Sequence, residues 1–185
     1  MAAMKRIASL ALALLGLAAA APAAHASSYA LLGFGPKAGT GGDLGDSANG
    51  DTRTLRAGLG QRIGPVGLEG SLFGADLIGT GGRTFNDGRE FWTLSAGLDL
   101  KGFFTIVGPI ELFGKAGINH TWVQGNELSG TGWDVGAGVQ FVLDLPLGYA
   151  AVWADFTYQD LGLSDDNIDV DGSLNMVMVG ASIGL

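Results

Sequence analysis

The sequence predicts an all-β chain, an eight-stranded antiparallel up-and-down barrel that crosses a membrane. Three observations predict it. Residues 133–144 alternate in character: Trp133, Val135, Ala137, Val139, Phe141 and Leu143 fall on one face, and Asp134, Gly136, Gly138, Gln140, Val142 and Asp144 on the other. Side chains on a strand alternate faces with period two, whereas a helix would scatter both sets around its circumference. Composition comes second: among 185 residues 47% are hydrophobic, only 15% are charged, and 33 are Gly. An ordinary soluble domain carries about a quarter charged residues. Third, the connections between alternating segments switch regularly between long polar loops and tight Gly/Pro turns.

Eight segments follow in order. The first runs from about Tyr29 to Pro36, with Ala30, Leu32 and Phe34 opposite Gly33 and Gly35, and a Gly- and Asp-rich loop covers 37–51. The second, Thr52 to Ile63, sets Leu55, Ala57, Leu59 and Ile63 against Thr54, Arg56, Gly58 and Arg62. Gly64-Pro65 turns the chain into the third, Val66 to Leu77, where Val66, Leu68 and Leu72 oppose Glu69, Ser71 and Phe73. After a loop over 78–88, the fourth spans Glu90 to Val107, with Trp92, Leu94, Leu98 and Leu100 opposite Thr93, Ser95, Asp99 and Lys101. Gly102 interrupts its pattern and predicts a bulge there. Gly108-Pro109 leads into the fifth, Ile110 to Gln124, with Ile110, Leu112, Ile118 and Trp122 against Glu111, Lys115 and Asn119.

The sixth is the 133–144 ribbon, closed by Leu145-Pro146-Leu147-Gly148. The seventh, Tyr149 to Gln159, faces Val152, Phe156 and Tyr158 one way and Trp153, Asp155 and Thr157 the other. An acidic loop over 160–171 precedes the last, Gly172 to Leu185, where Val177, Val179 and Ile183 oppose Met178, Gly180 and Ser182. Every segment after the first, which counts eight residues, meets the ~9–11 that a tilted strand needs to cross a bilayer.

Alternation alone does not say which face looks outward, because a soluble ligand-binding barrel alternates too. Here the polar face is crowded with Gly and carries both signs of charge: Arg56, Arg62, Lys101 and Lys115 against Glu69, Asp99, Glu111, Asp134, Asp144 and Asp155. A solvated surface would show more Lys and Glu and far less Gly. Trp92, Trp122, Trp133 and Tyr158 fall on the apolar face near the loop ends of their strands, the depth of an aromatic girdle at a membrane surface. The bulky face is therefore expected toward lipid and the small, charged face toward the lumen.

The N-terminus supplies an export route. Lys5 and Arg6, the apolar run Ile7 to Ala21, and Ala24-His25-Ala26 form the three parts of a secretory signal peptide. The expected organisation is a cleaved leader over 1–26 and a single barrel domain over 27–185. Losing Lys5 and Arg6 leaves 8 basic against 18 acidic residues, net −10. So acidic a chain repels phosphate, and no nucleic-acid partner is expected. With no Cys, disulfides, thiolate metal sites and a Cys nucleophile are excluded.

This arrangement resembles the small eight-stranded outer-membrane barrels of the OmpA-transmembrane and OmpX type, over essentially all of 27–185. The resemblance implies the outer membrane of a Gram-negative cell, insertion by the barrel-assembly machinery, contact with membrane lipid and lipopolysaccharide, and surface partners met by four outer loops. Family members usually end in an aromatic residue; here Leu185 stands last. The implied role is structural or surface-interacting. A narrow porin-like channel for ions or small solutes is the alternative, and lipid A modification a third possibility.

The candidate site is the interior charge set itself, read as structural, since an eight-stranded barrel has just enough interior for its own side chains. Removing one partner of a buried ion pair costs about 3–5 kcal/mol. His120, the one His outside the leader, points by parity toward lipid with only Thr121 beside it as a weak nucleophile, so no catalytic residue is assigned. Residues 167–172 resemble half a calcium loop, but the twelfth position is Met178 where a bidentate Glu belongs. No metal and no cofactor is expected.

Overall fold

The computed structural model describes residues 26–42, 52–77, 91–123, 129–165, 168–170 and 172–185. Among these residues ten strands form one sheet: β1 (Ala26–Gly42), β2 (Thr52–Ile63), β3 (Val66–Leu77), β4 (Phe91–Val107), β5 (Ile110–Val123), β6 (Ser129–Leu145), β7 (Gly148–Asp160), β8 (Leu163–Asp165), β9 (Ile168–Val170) and β10 (Gly172–Gly184). The eight long strands close a ring in which each pairs antiparallel with its neighbours, and β10 returns to β1. The seam ends in reciprocal backbone bonds between Ser28 and Leu185, at 3.2 and 2.9 Å. Closure leaves no ring strand with an open edge, the condition for a sheet to sit in hydrocarbon.

The faces divide as the alternation predicts. Leu98, Val135, Val139, Phe156 and Val179 are exposed around the outside, while Asp99, Lys115 and Asp134 are buried within. The β2–β3 and β4–β5 turns put Gly64 and Gly108 at φ 60° and 53°, followed by Pro. A two-residue hairpin turn needs a positive φ at its first central residue, and Gly adopts it without steric cost.

Several boundaries differ from the sequence reading. β1 does not stop at Pro36 but continues through Gly42, paired with β10 as far as Gly42↔Gly172. Its register shifts between Phe34 and Lys37, so Pro36, which has no N–H to donate, sits in a bulge. Gly102 is not a bulge. Alternation runs through it, with Lys101 and Phe103 inward and Phe104 outward, and the shift lies between Thr105 and Val107. Gly102 is an outward position without a side chain, paired with Val66 and Gly114. Within 160–171, expected as loop, the chain turns at Gly162 (φ 50°) and forms the β8–β9 hairpin against the end of β6. Residues 1–25 of the expected leader with His25, the loop over 78–88, and Asn167 and Asp171 of the calcium-like stretch lie outside the described residues, while Ala26, the leader's last residue, opens β1.

Candidate functional site

The lumen is filled in layers. At the turn end Arg62 Nη1 and Nη2 donate to Glu111 at 2.7 and 3.1 Å, and Gln140 Nε2 and Thr105 Oγ1 donate to the same carboxylate at 2.7 and 3.1 Å. The Arg62 guanidinium lies 4.2 Å over the Phe103 ring. Deeper in, Lys101 Nζ sits 4.5 Å from the Phe113 ring centroid, with Tyr29 and Phe103 on its other sides.

Arg56 is the hub at mid-height. Its Nη2 donates to Glu69 Oε1 and Asp99 Oδ2, both at 2.6 Å, and its Nη1 lies 3.6 Å from Asp155 Oδ2. Glu69 Oε2 also accepts from Lys101 Nζ and Tyr29 Oη, each at 2.8 Å, and Lys115 Nζ donates to Asp155 Oδ2 at 2.9 Å. The register makes this network necessary. Glu69 stands directly opposite Asp99, and Lys101 directly opposite Lys115. Like charges facing each other across a ladder are destabilising. The two like pairs lie beside one another, and Arg56 reaches in from β2, so each charge meets its opposite within hydrogen-bond distance.

Space for these side chains comes from Gly. Gly33 and Gly180 are register partners across the β1–β10 seam, and the buried Trp153 ring lies over both. A Cβ at either position would run into that ring. Toward the loop end the charges give way to neutral groups. Ser95 and Thr121 hydroxyls meet at 2.7 Å, Gln159 Nε2 donates to Ser95 Oγ at 3.2 Å, and Asn119 Nδ2 donates to the Asp160 carbonyl at 3.3 Å. Above them Leu161, Leu163 and Leu174 are buried in an apolar cap with Ala38, Ala75 and Met176.

Of the ten interior charges read from the sequence, the structure brings nine into the lumen. Arg56, Glu69, Asp99, Lys101, Lys115, Asp134 and Asp155 gather at its centre, and Arg62 with Glu111 at the rim. Asp144 is the exception and corrects the reading: it is exposed, opposite Tyr149 at the last turn, where the lumen opens out. On the outer face Trp133 and Tyr158 pack at a 41° tilt with centroids 5.3 Å apart, and Trp122 meets His120 edge-on at 4.5 Å. The Trp92 side chain lies outside the described residues. Sequence reasoning missed Tyr29, Thr105 and Gln140 as partners of the carboxylates, although their inward parity was there to be read. It also missed the apolar cap, whose signal lay in a stretch that looks like loop.

These features agree with what the chain resembles. The family model described as outer membrane protein beta-barrel domain matches residues 8–182. The chain belongs to that family. An outer membrane protein beta-barrel is therefore located in the outer membrane, and the closed ring of eight crossing strands is its transmembrane part. No curated protein matches the chain. Among solved structures, Neisserial surface protein A is 18% identical, with a TM-score of 0.64 over 88% of this chain and 99% of its own. Ail, the attachment invasion locus protein of Yersinia pestis, is 18% identical with a TM-score of 0.54 over 88% and 100%. A major outer membrane protein from Thermus thermophilus is 13% identical, with a TM-score of 0.53 over 88% and 100%. At these identities the likeness is one of fold.

Proposed function

We propose that this barrel is a non-conducting surface protein of the outer membrane, whose lumen is a structural core and whose loop face meets partners outside the cell. The observation that carries this is occlusion at three levels: the Arg62–Glu111–Gln140 rim, the Arg56-centred network and the apolar cap. The central cations are committed to Glu69, Asp99 and Asp155, and moving Arg56, Lys101 or Lys115 aside would strand a buried charge. Purified barrel in planar bilayers is expected to give no discrete conductance steps, and steady steps would establish the channel reading instead.

The loop face has a definite sign. Segments 43–51, 78–90, 124–128 and 161–171, which join the strands at that end, hold ten acidic residues against Arg83 and Arg89. Ail has been solved in complex with the heparin analogue sucrose octasulfate. The acidic loops here favour the opposite kind of partner, a cationic surface or lipopolysaccharide phosphates bridged by divalent cations. Insertion by the barrel-assembly machinery belongs to the same reading. We assign no catalysis to His120, whose Nδ1 is 2.8 Å from Thr131 Oγ1 and whose ring packs on Trp122. Mass spectrometry of lipid A from cells with and without the gene is expected to give identical spectra.

A further inference from the structure

Among the described residues the ion network leaves four buried polar atoms without a hydrogen-bond partner: Arg56 Nε, Asp99 Oδ1, Asp155 Oδ1 and Thr157 Oγ1. Arg56, Asp99 and Thr157 line a single cavity of about 30 Å³ at mid-barrel, together with Asp134 and Lys115. Asp134 is the odd member of the central charge set. Arg56, Lys101 and Lys115 are ion-paired with Glu69, Asp99 and Asp155, whereas among the described residues no ion pair reaches this fourth carboxyl group, whose side-chain partner is the Asp99 carboxylate. Buried polar groups find partners almost without exception, and where protein supplies none the partner is ordered water.

We propose that this cavity is a binding site for about two resident water molecules, a number set by its volume. They bridge Arg56 Nε and Thr157 Oγ1 to the Asp99 and Asp134 carboxyl groups. The lining chemistry selects water over a metal ion. Arg56 Nε is a donor and needs an acceptor, Asp99 Oδ1 is an acceptor and needs a donor, and only a molecule with both functions serves the two together. A bare cation would also face the Arg56 guanidinium and the Lys115 ammonium across the same small space. The waters join the two halves of the network, so the central ions form one hydrogen-bonded body.

The site rests on the orphaned atoms and the cavity, whereas a long residence time rests also on the closed lumen proposed above. Two measurements separate them. A high-resolution crystal structure is expected to show density for about two waters within hydrogen-bond distance of Asp99 and Thr157. An empty cavity, or a peak ringed by five or six oxygens at metal-ligand distances, would overturn the proposal. Oxygen-17 relaxation dispersion in detergent micelles is expected to count the same waters as long-lived. Density with fast exchange would uphold the site and overturn the closed lumen. Gly97→Ala is the matching variant: Gly97 lines the cavity, and a Cβ there meets its nearest atoms, the Ile118 carbonyl and Ser71 Oγ, at an ordinary 3.6 Å. It is expected to fold, as judged by heat-modifiable gel mobility, and to lose at least one of the waters. A folded Gly97→Ala barrel with the full count would place the waters elsewhere and sink the idea.

Discussion

Lys115 on β5 and Asp155 on β7 meet at 2.9 Å across the width of the strand between them. That strand, β6, offers Gly136 and Gly138 beneath the pair. A Cβ on Gly136 would lie 2.8 Å from Lys115 Cε, and one on Gly138 would lie 2.8 Å from Asp155 Cβ. The two glycines of the intervening strand therefore decide whether the ion pair can form.

Gly138→Ala is expected to destabilise the barrel by about 1–3 kcal/mol, the usual cost of overfilling a packed interior. Here the added methyl meets the Ala154 carbonyl and the Phe113 ring as well as Asp155. Urea unfolding in lipid bilayers measures the effect, and Ala137→Gly on the lipid face of the same strand is the control.

Arg56→Met is expected to cost about 3–5 kcal/mol, because it leaves Glu69 and Asp99 facing each other as register partners with no cation between them. A loss under about 1 kcal/mol in the same titration would show that the hub is not what holds the carboxylates in place.

The rim should respond more weakly than the centre. Arg62 and Glu111 retain 22% and 12% side-chain exposure, so Glu111→Gln is expected to cost about 1 kcal/mol. Exposed Asp144 should tolerate Asn within about 0.5 kcal/mol. Measuring both with Arg56→Met tests the gradient from open end to middle.

On the outside, Val139→Arg near the middle of β6 is expected to cost about 2–4 kcal/mol, against about 0–1 for Leu147→Arg at the turn tip. Val139 faces outward among apolar neighbours, and Leu147 is 86% exposed between Pro146 and Gly148. Equal costs at the two depths would contradict the lipid-facing assignment.

We also propose that the leader is removed after Ala26. Mass spectrometry of the protein isolated from outer membranes is expected to give a chain beginning at Ser27. Retention of residues 1–26 would make that segment an anchor.

The crossing strands were legible in the sequence because period-two alternation is a local signal, and in a lipid-facing barrel it has to persist for the full height. Leu55 to Leu59 and Val135 to Phe141 show it without interruption. What was not legible depends on register. That Glu69 falls opposite Asp99, or that Trp153 needs Gly33 and Gly180, is decided by pairing between strands distant in sequence. The extension of β1 past Pro36 and the β8–β9 hairpin were hidden for another reason. Gly, Ser and Asp there satisfy loop composition, yet backbone pairing with β10 and β6 makes them strand.

The bonds between Ser28 and Leu185 carry a consequence for biogenesis. Every other long strand pairs with a neighbour made just before or just after it, whereas this last join must wait until β10 has followed all the others. Until the zip is done up, two raw margins confront the oily phase, which has nothing to offer them. A partly threaded ring therefore carries the free edges of β1 and β10 as its weak point until they meet.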